Sequence, residues 1–285
     1  MKLTFLGTGT SHGIPVIACD CPVCHSKDPK NKRYRASVYV QTSDDKHILV
    51  DCGPEFRLQA VENNVRKIDA ILLTHSHADH LHGIDDIRIF SCDCFKRTDR
   101  NARLLDAPPL PIYTNASTLK DVRSRFSYFF HHSKEGGGHA KVELYEAKGP
   151  LKIGNATITP IPMMHGHLET TGWLFREGKS SIAYLTDCSY ISSKSIKLLQ
   201  DASGITDGSG HIEHLIIDGL RVREHSTHCN FDQAIEYAAK IGGNNVWMTH
   251  LTHEHSHDDA DKYLQEKKPK EMKVHPAWDG LVIEG

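Results

Sequence analysis

Short apolar runs, most of them closed by a polar or ionisable residue, set the rhythm of this chain. Lys2–Gly7, Ser37–Thr42 and His47–Asp51 have the length and branched-apolar content of β-strands. Ala70-Ile71-Leu72-Leu73 follows in the same style. Strand signals resume at Val142–Tyr145 and Ala156–Pro160, and further apolar runs are Thr159–Met164, Ser181–Thr186, Leu215–Ile217 and Asn245–Thr249. Leu281–Ile283 is expected to be the closing strand. Helical signals are fewer: Gly53-Pro54 opens Glu55–Asn63, and Asn230 is a candidate N-cap for Asp232–Lys240. Between about Ile84 and Ala140 the pattern is least regular, with charged stretches, the Pro-rich Ala107–Pro111 and the run Gly136-Gly137-Gly138. That segment is expected to be helices plus a mobile loop beside the active site, or a plain solvated insertion. There is no short repeat, only two β-rich halves of similar style. Two sheets flanked by helices predict an α+β fold, a four-layer αββα sandwich. Residues 1–285 are expected to form a single domain with the insertion at about 84–140.

Composition narrows the setting. The formal net charge is −2, whereas a dedicated nucleic-acid binder is more often basic, which weighs mildly against RNA. No run approaches the roughly 20 apolar residues of a membrane span. The opening Met1–Gly7 is a strand and a glycine turn rather than a secretory leader. A cytoplasmic location with no membrane partner is therefore expected. The eight cysteines are then metal ligands or free thiols before they are disulfides.

The chemistry concentrates at His75-Ser76-His77-Ala78-Asp79-His80, directly after the apolar run at Ala70–Leu73. Residues two apart in extended backbone point the same way, so His75 and His77 can hold one divalent ion. Asp79 and His80 follow a turn and can face a second. A pair of ions roughly 3.5–4 Å apart clamps attacking and departing oxygens in a displacement. The alternative, a His-rich surface loop, suits a lone histidine better than this spacing.

HxHxDH after a buried strand resembles the signature of the metallo-β-lactamase superfamily. The resemblance implies three more ligands, a His, an Asp and a His, each at the end of an apolar strand. Thr159–Met164 runs into His165, Ser181–Thr186 into Asp187, and Asn245–Thr249 into His250. His167 rivals His165, which motif alignment favours. Asp187 is the natural bridge, because its two oxygens can reach both ions. One ion would then sit among His75, His77 and His165, the other among Asp79, His80 and His250. The nitrogen and oxygen donors admit Mn, Zn or Fe. Asp51 and Asp218, each following an apolar strand, are candidates to orient the ligand imidazoles, or else plain strand-end caps.

Cys19-Asp20-Cys21-Pro22-Val23-Cys24 is a second strong signal, three thiols resembling part of a structural zinc site. No fourth cysteine is local, and a trio of reduced thiols or a redox cluster is the alternative. Cys52, Cys188 and Cys229 are expected to be buried thiols, and Cys92 and Cys94 receive no role. Leu6-Gly7-Thr8-Gly9-Thr10, then CxCxxC, Arg33-x-Arg35-x-Ser37 and HxHxDH, together resemble the cyclic phosphodiesterases of phosphonate breakdown, which act on phosphoribosyl 1,2-cyclic phosphates. The likeness extends to Met248-Thr249-His250-Leu251-Thr252-His253. In that branch the second histidine completes a structural zinc, so the resemblance places His253 with Cys19, Cys21 and Cys24. It also makes His228, beside Cys229, the candidate acid or phosphate-binding residue. The departures are a longer insertion around Pro108–Gly138 and the extra histidines His255 and His257.

The implied activity is hydrolysis of a small cyclic phosphodiester by hydroxide held between two metal ions. Asp79, Asp187 and His228 would be the catalytic residues. A tRNA 3′-end processing endonuclease is the runner-up, sharing the Gly-Thr-Gly opening and all seven ligands. A thioester hydrolase and a non-catalytic metal-dependent binding protein rank below it. The oligomeric state is open, and a homodimer is compatible with it.

Overall fold

A computed structural model describes residues 1–91, 108–130 and 139–285. Cys92, Cys94, Ala107 and Gly136–Gly138 lie outside the described residues. The strands are β1 (Lys2–Gly7), β2 (Ser37–Gln41), β3 (His47–Val50), β4 (Ala70–Leu72), β5 (Leu110–Thr114), β6 (Val142–Glu146), β7 (Leu151–Ile153), β8 (Ala156–His165), β9 (Leu168–Glu177), β10 (Ser180–Leu185), β11 (His211–Asp218), β12 (Gly243–Thr249), β13 (Lys273–Pro276) and β14 (Val282–Glu284). They form two seven-stranded sheets, ordered β14-β1-β2-β3-β4-β5-β6 and β13-β12-β11-β10-β9-β8-β7. Each half of the chain thus builds one sheet, and the closing strand returns to the first. Within each, four successive strands run parallel, β3 to β6 and β10 to β13.

The helices are α1 (Phe56–Glu62), α2 (Ala78–Leu81), α3 (Ala116–Arg125), α4 (Ser193–Ser203), α5 (Phe231–Ile241) and α6 (His257–Lys267). Alternation along the strands decides the layers. Leu3 and Phe5, Val38 and Val40, and Ile48 and Val50 meet Ile158, Trp173, Phe175, Ile182, Tyr184 and Ile216 in the core between the sheets. The opposite face of the first sheet packs Leu6, Leu49 and Ile71 against Phe56 of α1 and Ile84 and Ile87. The outer face of the second packs Leu215, Ile217 and Val246 against Leu199 of α4, Phe231 and Ala238 of α5, and Leu264 of α6. The result is the αββα sandwich. Asn230 caps α5 through a capping box with Gln233, two reciprocal side-chain to backbone bonds at the helix start.

Within the insertion α3 is helical as expected, whereas β5, which was not expected, joins the first sheet between β4 and β6. Pro111 sits inside β5 and hid the alternation of buried Leu110, Ile112 and Thr114. Prolines also sit in β8, at Pro160 and Pro162, where β7 pairs only with Ala156–Ile158 and leaves that edge free. An unpaired edge needs no amide donor, which is where a strand tolerates proline.

The inter-sheet core sets stability. Ile216→Ala, at a fully buried position of β11, is expected to cost about 2–5 kcal/mol, read from urea unfolding. A cost near zero would mean that the two sheets do not share this core.

Candidate metal centre

The site is built where strands end. Asp51 follows β3, Asp187 follows the end of β10, and His250 follows β12. All three turn in the left-handed region, with φ of 62°, 51° and 61°. Non-glycine residues adopt that conformation at a cost, Asp and His more readily than most, and it concentrates at functional sites. His165 is the last residue of β8. The stretch after β4 carries His75, and His77 is the extended residue that starts α2, which holds Asp79 and His80 in its single turn.

These elements bring two groups of donors together. The ligand atoms of His75, His77, His165 and Asp187 lie within 4.8 Å of one another, as do those of Asp79, His80, Asp187 and His250. Asp187 belongs to both. Its Oδ2 is 2.8 Å from His80 Nε2 and 3.3 Å from His75 Nε2, while its Oδ1 is 2.9 Å from His250 Nε2. Yet Nε2 of His75, His80 and His250 is buried with no hydrogen-bond partner. Buried polar atoms are otherwise satisfied. Donors about 2.0–2.2 Å from a shared ion stand roughly 3 Å apart. The spacing and the orphaned nitrogens therefore fit a divalent cation at each group.

Outward-facing atoms are held in place. His80 Nδ1 donates to Asp51 Oδ2 at 2.7 Å, and Asp51 also accepts from the backbone and hydroxyl of Thr74, both at 2.8 Å. Ser37 Oγ donates to the carbonyls of Val50 and Asp51. His165 Nδ1 donates to the Thr227 carbonyl at 2.7 Å. Such bonds fix which ring nitrogen faces the metal. His228 Nδ1 donates to Asp218 Oδ2 at 2.7 Å, and Asp218 accepts from the Cys188 amide as well. The His228 ring stacks on His250 at 4.6 Å and meets His165 edge-on at 4.5 Å. Asp51 and Asp218 are thus more than strand-end caps.

The electrostatics describe a cation site. Burial pushes the His75 imidazole well below its usual range, and the neighbouring His80 adds to this. Burial also opposes charge on His80 and His250, but the carboxylates win. Asp187, Asp79 and Asp51 raise His80, and Asp187 chiefly raises His250, to about 10. Asp187, itself fully buried, is held well below the carboxylate range by His250 and His80. This pocket concentrates negative charge that positive charge must answer.

The second cluster forms as well. His253 Nδ1 lies 3.3, 3.4 and 3.5 Å from the sulfurs of Cys19, Cys21 and Cys24. Zinc with sulfur at about 2.3 Å and nitrogen at about 2.0–2.1 Å in a tetrahedron gives separations of that order. The Cys24 amide donating to its sulfur lowers the Cys21 thiol to about 6, while burial lifts Cys24 to about 11. The site supplies different acidities to thiols that an ion would hold as thiolates.

His167 is the residue left out. It lies on the turn after β8 and is exposed. Cys52, Cys188 and Cys229 are buried, as expected. Thr227 was not anticipated, because a backbone carbonyl leaves no mark in a sequence. Thr74 precedes the motif directly, and its hydroxyl beside a strand-end acid was the available signal.

Comparison with known proteins agrees with this geometry. Residues 46–251 match the β-lactamase superfamily domain. A Porphyromonas gingivalis protein named octanoyltransferase is 33% identical over 284 residues, 99% of this chain and 51% of that protein. The chain spans about half the length of that relative. The crystal structure of a new diphosphatase from the PhnP family superposes with a TM-score of 0.80 at 34% identity, covering 100% of this chain and 97% of that one. The metallo-β-lactamase fold protein YhfI from Bacillus subtilis superposes with a TM-score of 0.71 at 20% identity, over 100% and 98% of the two chains, which bears on the fold alone. The chain therefore belongs to the β-lactamase superfamily, as a hydrolase of the metallo-β-lactamase fold. Within that class it resembles the PhnP branch.

The shared carboxylate can be tested directly. Asp187→Ala should abolish turnover and empty at least one metal position, counted by elemental analysis of the purified protein. Full metal content with wild-type activity would contradict the shared role.

Proposed function

We propose that this hydrolase is a dinuclear metal-dependent phosphodiesterase acting on small cyclic phosphodiesters. His75, His77 and His165 would hold one divalent ion, Asp79, His80 and His250 the other, with Asp187 common to both. When bound, two such ions supply an activated water and neutralise charge on the phosphoryl oxygens. Donors of nitrogen and oxygen suit Mn, Zn or Fe.

The observation that carries the reading is His228. Its ring packs on His165 and His250, and its ligand atom lies within 4.8 Å of those of Asp187, Asp218 and His250. Asp218 takes the Nδ1–H, so Nε2 is the ring nitrogen left free, and it would carry a proton only when the ring is an imidazolium. A proton there can be delivered to a departing alkoxide, which leaves poorly unprotonated. The Asp218 carboxylate stabilises the ring while it carries charge. Asp51 keeps the His80 ring from turning, and the Thr227 carbonyl does the same for His165. The PhnP-family diphosphatase supports phosphoryl chemistry on this frame. The octanoyltransferase is a longer protein, and its name brings no acyl-transfer residue to this site.

The deciding assay is a substrate panel: an aryl phosphodiester, 1,2- and 2′,3′-cyclic ribose phosphates, precursor tRNA and a thioester. Hydrolysis of the cyclic phosphates is expected to dominate. His228→Ala should keep both metals and lose kcat on the order of 10²-fold on them. Faster cleavage of precursor tRNA would establish the endonuclease reading instead. Metal loading without any turnover would leave a binding protein.

We further propose that Cys19, Cys21, Cys24 and His253 hold a structural zinc. Cys21→Ser should lower the melting temperature more than it changes kcat at low temperature, since structural zinc contributes to folding. The reverse pattern would indicate a reactive thiol. Among the described residues no helix is long and apolar enough to cross a membrane.

A further inference from the structure

We propose that α3 is a brace that sets the metal affinity of the His75–His77 pair, with Asp121 and Arg125 as its positioning residues. The inference rests on the dinuclear reading above. Ser76 lies between the two histidines and is buried. Its hydroxyl donates to Asp121 Oδ2, and its carbonyl accepts from Arg125 Nη1. Both grips come from one helix face, because Asp121 and Arg125 are four apart and ion-paired at 3.6 Å. One peptide unit is thus held at its side chain and at its carbonyl.

The other end of α3 reaches the residue on the far side of His75. Asn115 caps α3 by accepting from the Thr118 amide at 2.9 Å, and its Nδ2 donates to Thr171 Oγ1 at 3.1 Å. The Thr171 amide donates to the Thr74 carbonyl at 2.9 Å. Thr74 and Ser76 flank His75, and α3 is tied to both. The direction in which His75 and His77 point follows from the backbone of residues 74–77. A helix that fixes this backbone fixes the distance between two donors.

An ordinary anchoring role is the competing account. Exposed ion pairs contribute little to stability, and Asp121 and Arg125 are 42% and 41% exposed. A charged donor on a buried carbonyl is a stronger bond than a neutral one. If these bonds serve only anchoring, removing them changes stability and leaves metal affinity alone. If they set ligand geometry, affinity falls on the scale seen when groups behind metal ligands are removed, about 10–100-fold.

The test titrates metal-stripped protein with Zn²⁺ or Mn²⁺ against a chelator, well below the unfolding temperature. Arg125→Ala and Asp121→Ala are expected to weaken binding about 10–100-fold, with a matching rise in the Mn²⁺ needed for half-maximal activity. Arg125→Lys, which keeps a cationic donor, should recover part of the loss. Ser76→Ala, which leaves the helix intact, should weaken binding severalfold and covers the case in which a helix variant fails to fold. His75→Ala is the reference. If it loses metal while the Arg125, Asp121 and Ser76 variants bind like wild type, the brace is overturned and the dinuclear site stands. If His75→Ala itself binds two ions with wild-type affinity, the dinuclear reading fails and takes the brace with it.

Discussion

The Asp187 carboxylate is the constraint on which the rest depends. A fully buried carboxylate is costly unless positive charge and hydrogen-bond donors surround it. Here three imidazoles surround it, and each comes from a different element. His75 follows β4, His80 belongs to α2 and His250 follows β12. β4 lies in one sheet and β12 in the other. The charge is tolerable only when both sheets are packed face to face. The inter-sheet core of Phe5, Trp173, Tyr184 and Ile216 does that packing. The apolar pattern therefore supports a polar centre that could not assemble on either sheet alone.

The N-terminal motif belongs to the same constraint. Leu251, next to His250, donates its amide to the Thr8 carbonyl and accepts from the Thr10 amide. Gly7-Thr8-Gly9-Thr10 is thus a backbone splint for the His250 loop. Its first glycine has no freedom to change, because a Cβ on Gly7 would lie 2.0 Å from the Arg35 carbonyl. Arg33, wholly buried, donates to Thr8 Oγ1, and that hydroxyl donates to Asp279 at 2.7 Å. The Arg33-x-Arg35-x-Ser37 pattern has a role of the same kind at its other end. Ser37 holds the backbone of Asp51, and Asp51 holds His80.

The parts legible in the sequence were those with local signals. Strands β1 to β4 and the donors at strand ends stand out because burial imposes a short apolar run and chemistry ends it. The candidate N-cap Asn230 announced α5. The missed parts have distributed causes. In β9, Thr170-Thr171-Gly172 breaks the apolar pattern, yet both threonines are buried and hydrogen-bonded, to the Thr74 carbonyl and to Asn115. A Cβ at Gly172 would meet the tip of the buried Leu185 side chain at 2.6 Å, so a larger residue there makes Leu185 shift, and glycine stands where a strand former is expected. Helix α6 was hidden in a histidine-rich tail, although Ser256 caps it by accepting from the Asp259 amide. His165 and His167 are separated only by the turn at Gly166, whose φ of 62° sends the second histidine outward. Spacing alone does not reveal where a strand stops.

One loop serves both clusters, and this has a chemical consequence. His250 and His253 are three residues apart, with Leu251 pinned between them. Glu254 beyond them is paired with Arg221 and Arg223. On the proposed assignments, the two ends of this short segment face donor sets of different softness. Three sulfurs and a nitrogen favour zinc strongly, whereas imidazoles and carboxylates accept several first-row metals. A metal that exchanges at the catalytic group need not be matched by exchange at the thiolate group. The thiolate group can hold the loop in place while the ions next to His250 vary with supply. Selection by donor type would thus separate a permanent structural ion from a working pair, although one stretch of backbone positions both.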